Sequence, residues 1–173
     1  MIKIKDEFIK EAKEYASISR EYTSDDHDFH EGGLDAKQRK MFEGKLGEKS
    51  IKQFFLDNNI EFTEDKSDYK KADEYDFLVY KNKTKYLVDV KTRTKDFHTR
   101  TLEMVKQFNS KKIDIYISVH LKRIDSSYHV KILGWCGRND ILNINRIENN
   151  GYLDNYVVFD NELRNIENLK DCL

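Results

Sequence analysis

The segment EYDFLVYKNKTKYLVDVK, residues 74–91, constrains the fold more than any other part of the sequence. Two runs of alternating apolar and polar residues flank KNKT, a pattern that predicts two strands joined by a tight turn. A turn centred between Asn82 and Lys83 would place Asp76 directly opposite Asp89, with Cβ atoms about 5 Å apart. A shift of the register by one residue would send these two side chains to opposite faces.

The second strand of this hairpin carries charge where a core strand would be apolar. Alternation places Asp89 and Lys91 on one face and Val88 and Val90 on the other. Two facing aspartates repel each other, and a divalent cation removes that cost; Mg²⁺ suits one or two carboxylates together with waters and phosphate oxygens. Lys91 could then stabilise negative charge on a phosphate, or hold or deprotonate the attacking water. The pattern therefore predicts a metal site, whereas the alternative is an exposed hairpin with an ordinary surface ion pair.

The rest of the chain predicts one α/β domain with a mixed central β-sheet flanked by helices. Apolar residues at helical spacing indicate the helices, and alternating or continuous apolar runs indicate the strands. We expect helices over residues 5–22, 35–57, 99–110 and 162–173, the last with Asp160 or Asn161 as its cap, and strands over 60–65, 75–80, 85–91, 113–121, 128–136 and 156–159.

Composition excludes several classes of protein. The 10 Tyr and 10 Phe argue against disorder, and 31 basic residues against 32 acidic ones leave the choice of partner open. The two cysteines, Cys136 and Cys172, lie too far apart in sequence for a metal motif. So few cysteines are typical of a reduced intracellular protein. Because the sequence has no apolar run of about 18 residues and no signal-like start, we expect a soluble, cytoplasmic protein that does not bind membranes.

Residues 40 to 170 resemble the PD-(D/E)XK nuclease superfamily, which has the restriction-endonuclease-like fold. The family's pattern is a helix carrying a glutamate, an aspartate where a strand starts, and Asp/Glu-x-Lys on the next strand. Here GKLGEKSIKQFF supplies Glu48, EYDFLVY supplies Asp76, and YLVDVK supplies Asp89 and Lys91.

Two positions depart from the family pattern. Tyr75 precedes Asp76 where a proline is frequent. Gln107 matches a glutamine that some members place on the following helix, but Lys111 stands where the RecB-like subgroup has a tyrosine.

The resemblance implies a nuclease-like core over residues 35–173, with residues 1–34 as an N-terminal extension made of a helix and an acidic loop. Asp76, Asp89, Glu48 and the carbonyl of Val90 would bind Mg²⁺, which Mn²⁺ could replace. Asp76, Asp89, Glu48 and Lys91 would form the catalytic group for hydrolysis of phosphodiester bonds, normally in DNA. Glu48 also has a simpler interpretation as one solvated charge on a helix.

Substrate binding needs basic residues beside the acidic centre. Arg93 and Lys95 continue the alternation of Asp89 and Lys91, and with Gln107 they are our candidates for phosphate contacts, which would make binding depend on salt. Cutting both strands of a duplex would favour a homodimer.

Other interpretations remain open. Asp26, His27, Asp28, His30 and Glu31 form a rival group of metal-binding side chains, although their spacing fits no metal motif. The same fold could serve as a catalytically inactive module that binds nucleic acid or a protein partner. A phosphate-processing or structural protein with a chance motif is the third alternative, and it would show a shifted hairpin register with the two aspartates apart.

Overall fold

A computed structural model of the chain describes residues 1–19, 33–65, 74–149 and 153–172. The rival group of metal-binding side chains, Asp26, His27, Asp28, His30 and Glu31, lies outside the described residues.

Nine strands in the described residues form two sheets. The strands are β1 (Ile2–Lys3), β2 (Phe62–Glu64), β3 (Phe77–Lys81), β4 (Thr84–Arg93), β5 (Arg100–Met104), β6 (Ile115–Ile124), β7 (Ser127–Gly137), β8 (Ile147–Asn149) and β9 (Asp154–Phe159). The large sheet has the order β1-β7-β6-β4-β3-β2, and the small sheet has the order β5-β9-β8. Only β4 and β6 pair in parallel, so the expected mixed sheet is confirmed.

The hairpin of β3 and β4 has the predicted register. Phe77 pairs with Val88 and Lys81 with Thr84, so Asn82 and Lys83 form a two-residue turn. Both turn residues have positive φ, 51° and 67°, as a type I′ hairpin turn requires. One step beyond Phe77, this register brings Asp76 beside Asp89.

Two long helices cover one face of the large sheet. They are α1 (Asp6–Ser19) and α2 (Gly33–Asp57), and they pack against each other and, through α2, against β4. Their buried residues join those of the sheet in one core, which includes Phe8, Leu46, Phe55, Val79, Val88 and Ile117. The predicted helix over 35–57 is confirmed, with its start two residues earlier; of the helix predicted over 5–22, residues 20–22 lie outside the described residues.

The opposite face is covered by the small sheet and by two short helices, α3 (Val105–Ser110) and α4 (Arg138–Ile144). A second core lies there, built from Phe108, Ile113, Tyr116, Cys136, Ile141 and Val158. Helices, a mixed sheet and a second sheet therefore form layers, and the α/β class is confirmed. No helix in the four described ranges combines the length and apolar character needed to cross a membrane.

The helix predicted over residues 99–110 is wrong in its first half. Arg100–Met104 forms β5, which pairs antiparallel with β9, and only Val105–Ser110 is helical. Thr101, Leu102 and Glu103 carry no strong local preference, so pairing with a strand more than fifty residues away decides their conformation.

The helix predicted over residues 162–173 is also wrong as one element. Two 3₁₀ turns, Asp160–Glu162 and Ile166–Asn168, precede a single helical turn, α5 (Leu169–Cys172). Between them Arg164 forms a bridge with Trp135 through two backbone hydrogen bonds of 3.0 and 2.8 Å. This pairing with β7 holds the segment extended and interrupts the helical pattern.

Candidate active site

Three predicted acidic residues meet where the hairpin lies beside α2. The backbone N–H of Val90 donates a hydrogen bond of 2.6 Å to Oδ2 of Asp76, which places this carboxyl group against β4. The pKa of Asp76 is raised well above its usual value, first by burial and then by the negative charges of Glu48 and Asp89. The structure therefore brings Asp76, Asp89 and Glu48 close enough to interact electrostatically.

A lysine that we did not predict accompanies Glu48. Lys45 lies one helical turn before it on α2, and its Nζ is 2.5 Å from Oε2 of Glu48. Burial lowers the pKa of Lys45, but the charges of Glu48 and Asp76 act in the opposite direction and the net shift of its pKa is upward. Lys45 thus supplies one positive charge to the acidic group.

The ammonium group of Lys91 lies between two carboxylates. Its Nζ is 2.8 Å from Oδ2 of Asp89 and 2.5 Å from Oε2 of Glu103. Burial lowers the pKa of Lys91, but Asp89 and Glu103 outweigh this effect, so its pKa is raised and the side chain is cationic. Asp89 and Lys91 are adjacent on one face of β4, as the alternation predicts.

Glu103 is a second site residue that the sequence analysis missed. It lies on β5, its whole residue is only 4% exposed, and burial raises its pKa although Lys91 acts against this shift. We interpreted its segment as helical, and a helix gives no reason to place Glu103 over β4. The alternation Thr-Leu-Glu is compatible with a strand, and this was the sequence signal for Glu103. It indicates a position over β4 only when β5 is known to pair with β9.

Tyr116 completes the wall of the site on β6, where it pairs with Asp89 in the parallel ladder. Its hydroxyl group is buried without a hydrogen-bond partner in the described residues. Burial and the charges of Glu103 and Asp89 raise its pKa, and Nζ of Lys91 lies 5.9 Å from the ring centre. Tyr116 is therefore a neutral donor facing the carboxylates.

Counted over the described residues alone, the charges of this cluster do not balance. Asp76, Asp89, Glu48 and Glu103 bring four negative charges when ionised, against the positive charges of Lys45 and Lys91. The excess of two negative charges equals the charge of one divalent cation, and carboxylates are the ligands that Mg²⁺ prefers. Oδ2 of Asp89 and Oε2 of Glu103 are buried and contact Lys91 at ion-pair distance without a well-aligned hydrogen bond. The donor chemistry fits Mg²⁺.

The positions of these side chains are a separate question from their chemistry. Within the described parts of the chain, no group of three or more His, Cys, Asp or Glu side chains is arranged to hold a metal ion. Lys91 stands between two of the carboxylates, so the cluster as described is held together by ion pairs.

The predicted phosphate contacts lie in three different settings. Arg93 shares a face of β4 with Lys91, but Asp160 binds its guanidinium group through two hydrogen bonds of 2.8 and 2.6 Å. Lys95 lies beyond the end of β4 and is exposed, so the alternation that linked it to Asp89 stops before it. Gln107 is partly buried on α3.

A cavity of about 200 Å³ opens beside Lys91. The polar residues that line it are Lys91, Thr92, Arg93, His98, Arg100, Thr101 and Ser118, and Leu102, Val119 and Leu133 are the apolar ones. The hydroxyl oxygens of Thr101 and Ser118 are 2.6 Å apart and join β5 to β6. Basic and hydroxyl groups therefore continue from the acidic cluster along the same face of the large sheet.

Three further titratable residues, Cys136, His120 and His129, lie in strands of the large sheet and have structural roles. Burial raises the pKa of the Cys136 thiol to about 12, which keeps it protonated and unreactive. His120 is buried on β6, and burial followed by the charges of Lys122 and Arg93 lowers its pKa. His129 lies within β7.

Comparison with known proteins adds no relative: no protein-family model, curated protein or solved structure matches this chain.

Proposed function

We propose that this protein is a metal-dependent nuclease of the restriction-endonuclease-like fold, which hydrolyses phosphodiester bonds in DNA. The observation that carries the proposal is the convergence of Asp76, Asp89 and Glu48 beside Lys91, in the order and on the elements that the PD-(D/E)XK resemblance implies. The excess of negative charge in this cluster supports a divalent cation.

In this proposal the residues divide the work of hydrolysis. Asp76, Asp89, Glu48 and the carbonyl of Val90 would hold Mg²⁺ or Mn²⁺, which when bound supplies a Lewis acid for a phosphate oxygen. The oxygen of a water forms a bond to phosphorus and the water loses a proton, while a bridging P–O bond breaks and the departing oxygen takes up a proton. Lys91 stabilises the negative charge that develops on the phosphate.

Cleavage of circular DNA tests the proposal. We expect the wild-type protein to cut supercoiled plasmid or single-stranded circular DNA with Mg²⁺ or Mn²⁺, and EDTA to stop the reaction. Asp89→Asn and Lys91→Met should each lower the rate by about 100-fold or more, the usual loss when a transition-state charge loses its partner. Lys85→Met is the matched control, because Lys85 lies on the same strand and face but is exposed near the turn.

The outcomes separate the alternatives. If Lys91→Met cuts as fast as Lys85→Met, Lys91 has no role in the reaction. If the wild type cuts no substrate and calorimetry detects no binding of Mg²⁺ or Mn²⁺, the nuclease proposal is abandoned.

A second candidate function is a nuclease-fold module that binds nucleic acid or a protein partner without catalysis. The observation that favours it is the ion pairing of Lys91 with both Asp89 and Glu103. These two carboxylates offset the positive charge that catalysis would use. Gel-shift binding in EDTA that persists in Asp89→Asn, together with no cleavage by the wild type, would select this alternative.

A further inference from the structure

We infer that the cavity beside Lys91 binds one nucleotide of an unpaired strand and that Phe97 stacks on its base, so that the preferred substrate is single-stranded or locally unpaired. This inference rests on the proposed function for the choice of nucleic acid as ligand, and it names the substrate class.

The size of the cavity supports a single nucleotide. Its volume of about 200 Å³ is below the range of roughly 300–1,000 Å³ that encloses a drug-sized ligand. It therefore suits part of one nucleotide, such as a phosphate with its sugar, and not a duplex. Lys91 and Arg93, two residues apart on the same face of β4, have Cα atoms about 6.6 Å apart, so the cavity lies one short step from the acidic cluster.

The chemistry of the wall supports a phosphate and a sugar. Arg93 and Arg100 bring positive charge, each paired with one carboxylate, Asp160 and Glu148. His98 and the hydroxyl groups of Thr101 and Ser118 add polar groups to the same wall. The bidentate pair with Asp160 occupies both terminal nitrogens of Arg93, while its Nε is buried and has no hydrogen-bond partner in the described residues.

Phe97 supports the stacking of a base. It is 77% exposed, the most exposed of the large hydrophobic side chains in the described residues. Its ring packs edge to face on the ring of His98, with 4.6 Å between the centres, and His98 lines the cavity. An exposed aromatic ring beside a basic cavity is the arrangement with which proteins bind unpaired bases, because every base has a face that can stack.

Fluorescence anisotropy with a labelled oligothymidylate in EDTA tests this inference without requiring cleavage. We expect the wild type to bind the single strand at least about tenfold more tightly than a duplex of equal length. Phe97→Ala should weaken binding about tenfold, the usual effect of losing one stacked base, whereas Phe97→Trp should retain it. Phe97 is exposed, so a change there leaves the core intact.

Arg93 and Asp160 give a second test with opposite signs. Arg93→Gln should weaken binding of the single strand, whereas Asp160→Asn should strengthen it, because it releases the guanidinium group. If the ion pair between Arg93 and Asp160 has only a structural role, the two variants should both weaken binding or should both leave it unchanged.

Equal binding of single strand and duplex with no effect of Phe97→Ala would overturn the inference, as would the absence of any binding in EDTA. Neither outcome bears on metal-dependent cleavage, which Asp89→Asn tests separately. If cleavage fails but the single strand binds as expected, the inference stands and the catalytic proposal fails.

Discussion

Lys91 joins residues from two distant parts of the chain, because Asp89 lies on its own strand and Glu103 on β5. The side chain of Glu103 is 5% exposed, so removing Lys91 would leave this buried carboxylate without a cation, whereas removing Glu103 would leave Lys91 paired with Asp89. Because β5 belongs to the small sheet, the ion pair between Lys91 and Glu103 links the position of that sheet to the charge of the candidate site.

A double-mutant cycle measures this coupling. Lys91→Met should lower the free energy of unfolding by about 3 kcal/mol, because it leaves Asp89 and Glu103 without their cation. Glu103→Gln should cost less, because Lys91 keeps its ion pair with Asp89. The double variant should lose clearly less than the sum, which urea unfolding would show. Asp96→Asn, which breaks an ion pair at an exposed carboxylate, is the control and should leave stability almost unchanged. Additive effects of the two buried changes would contradict the ion pair.

The raised pKa of Asp76 makes the free energy of unfolding depend on pH, and the direction of this dependence tests whether the acidic cluster exists. Its pKa is raised in the folded protein, so the metal-free protein should lose stability as pH rises from the unfolded pKa through the folded pKa. Asp76→Asn should remove this loss and raise the melting temperature at neutral pH, whereas Asp57→Asn, at an exposed position of α2, should not.

Mg²⁺ provides the complementary measurement for Asp76. A divalent cation that binds the folded state should raise the melting temperature of the wild type at neutral pH and raise that of Asp76→Asn less. Equal pH profiles of wild type and Asp76→Asn would show that the three carboxylates do not interact in solution.

At the scale of elements, the distance between α2 and β4 depends on one glycine. A Cβ atom on Gly47 would lie 1.8 Å from Oγ1 of Thr92, so the helix can approach the strand this closely only where no side chain intervenes. Because Glu48 follows Gly47 and Lys91 precedes Thr92, this close approach also brings the helix carboxylate to the hairpin.

Two alanine substitutions on α2 test this packing. Gly47→Ala should lower the free energy of unfolding by about 1–3 kcal/mol through overpacking. Gly44→Ala, with nothing within 4 Å of its Cβ, should raise it by up to about 1 kcal/mol through helix propensity. Combining Gly47→Ala with Thr92→Ala should restore part of the loss. Equal effects of the two glycine substitutions in urea unfolding would refute the close contact.

At the scale of the whole molecule, the first helix shares its core with the sheet. Phe8 and Ala12 of α1 belong to the same buried group as Phe55, Val88 and Trp135. A change in α1 should therefore affect the stability of the sheet, including β7, which carries Trp135, the single tryptophan of the chain.

Phe8→Ala tests whether α1 and the sheet unfold together. We expect a loss of about 3–5 kcal/mol, seen at the same urea midpoint by Trp135 fluorescence and by circular dichroism. Lys13→Ala, at an exposed position of α1, is the control. A shift of the circular dichroism alone, with the fluorescence midpoint unchanged, would indicate that residues 1–34 form an independent unit.

The sequence by itself determined the hairpin and its register, because the turn at Asn82 and Lys83 and the alternation around Val88 act over a few residues. It also placed Asp76, Asp89 and Lys91 together, and the long helix that carries Glu48. Tertiary structure decided the rest. Glu103 reaches Lys91 only because β5 pairs with β9, and Arg164 is extended only because it pairs with β7. Such long-range pairings override weak local preferences, and the local residue pattern of 99–110 and 160–172 gives no sign of them.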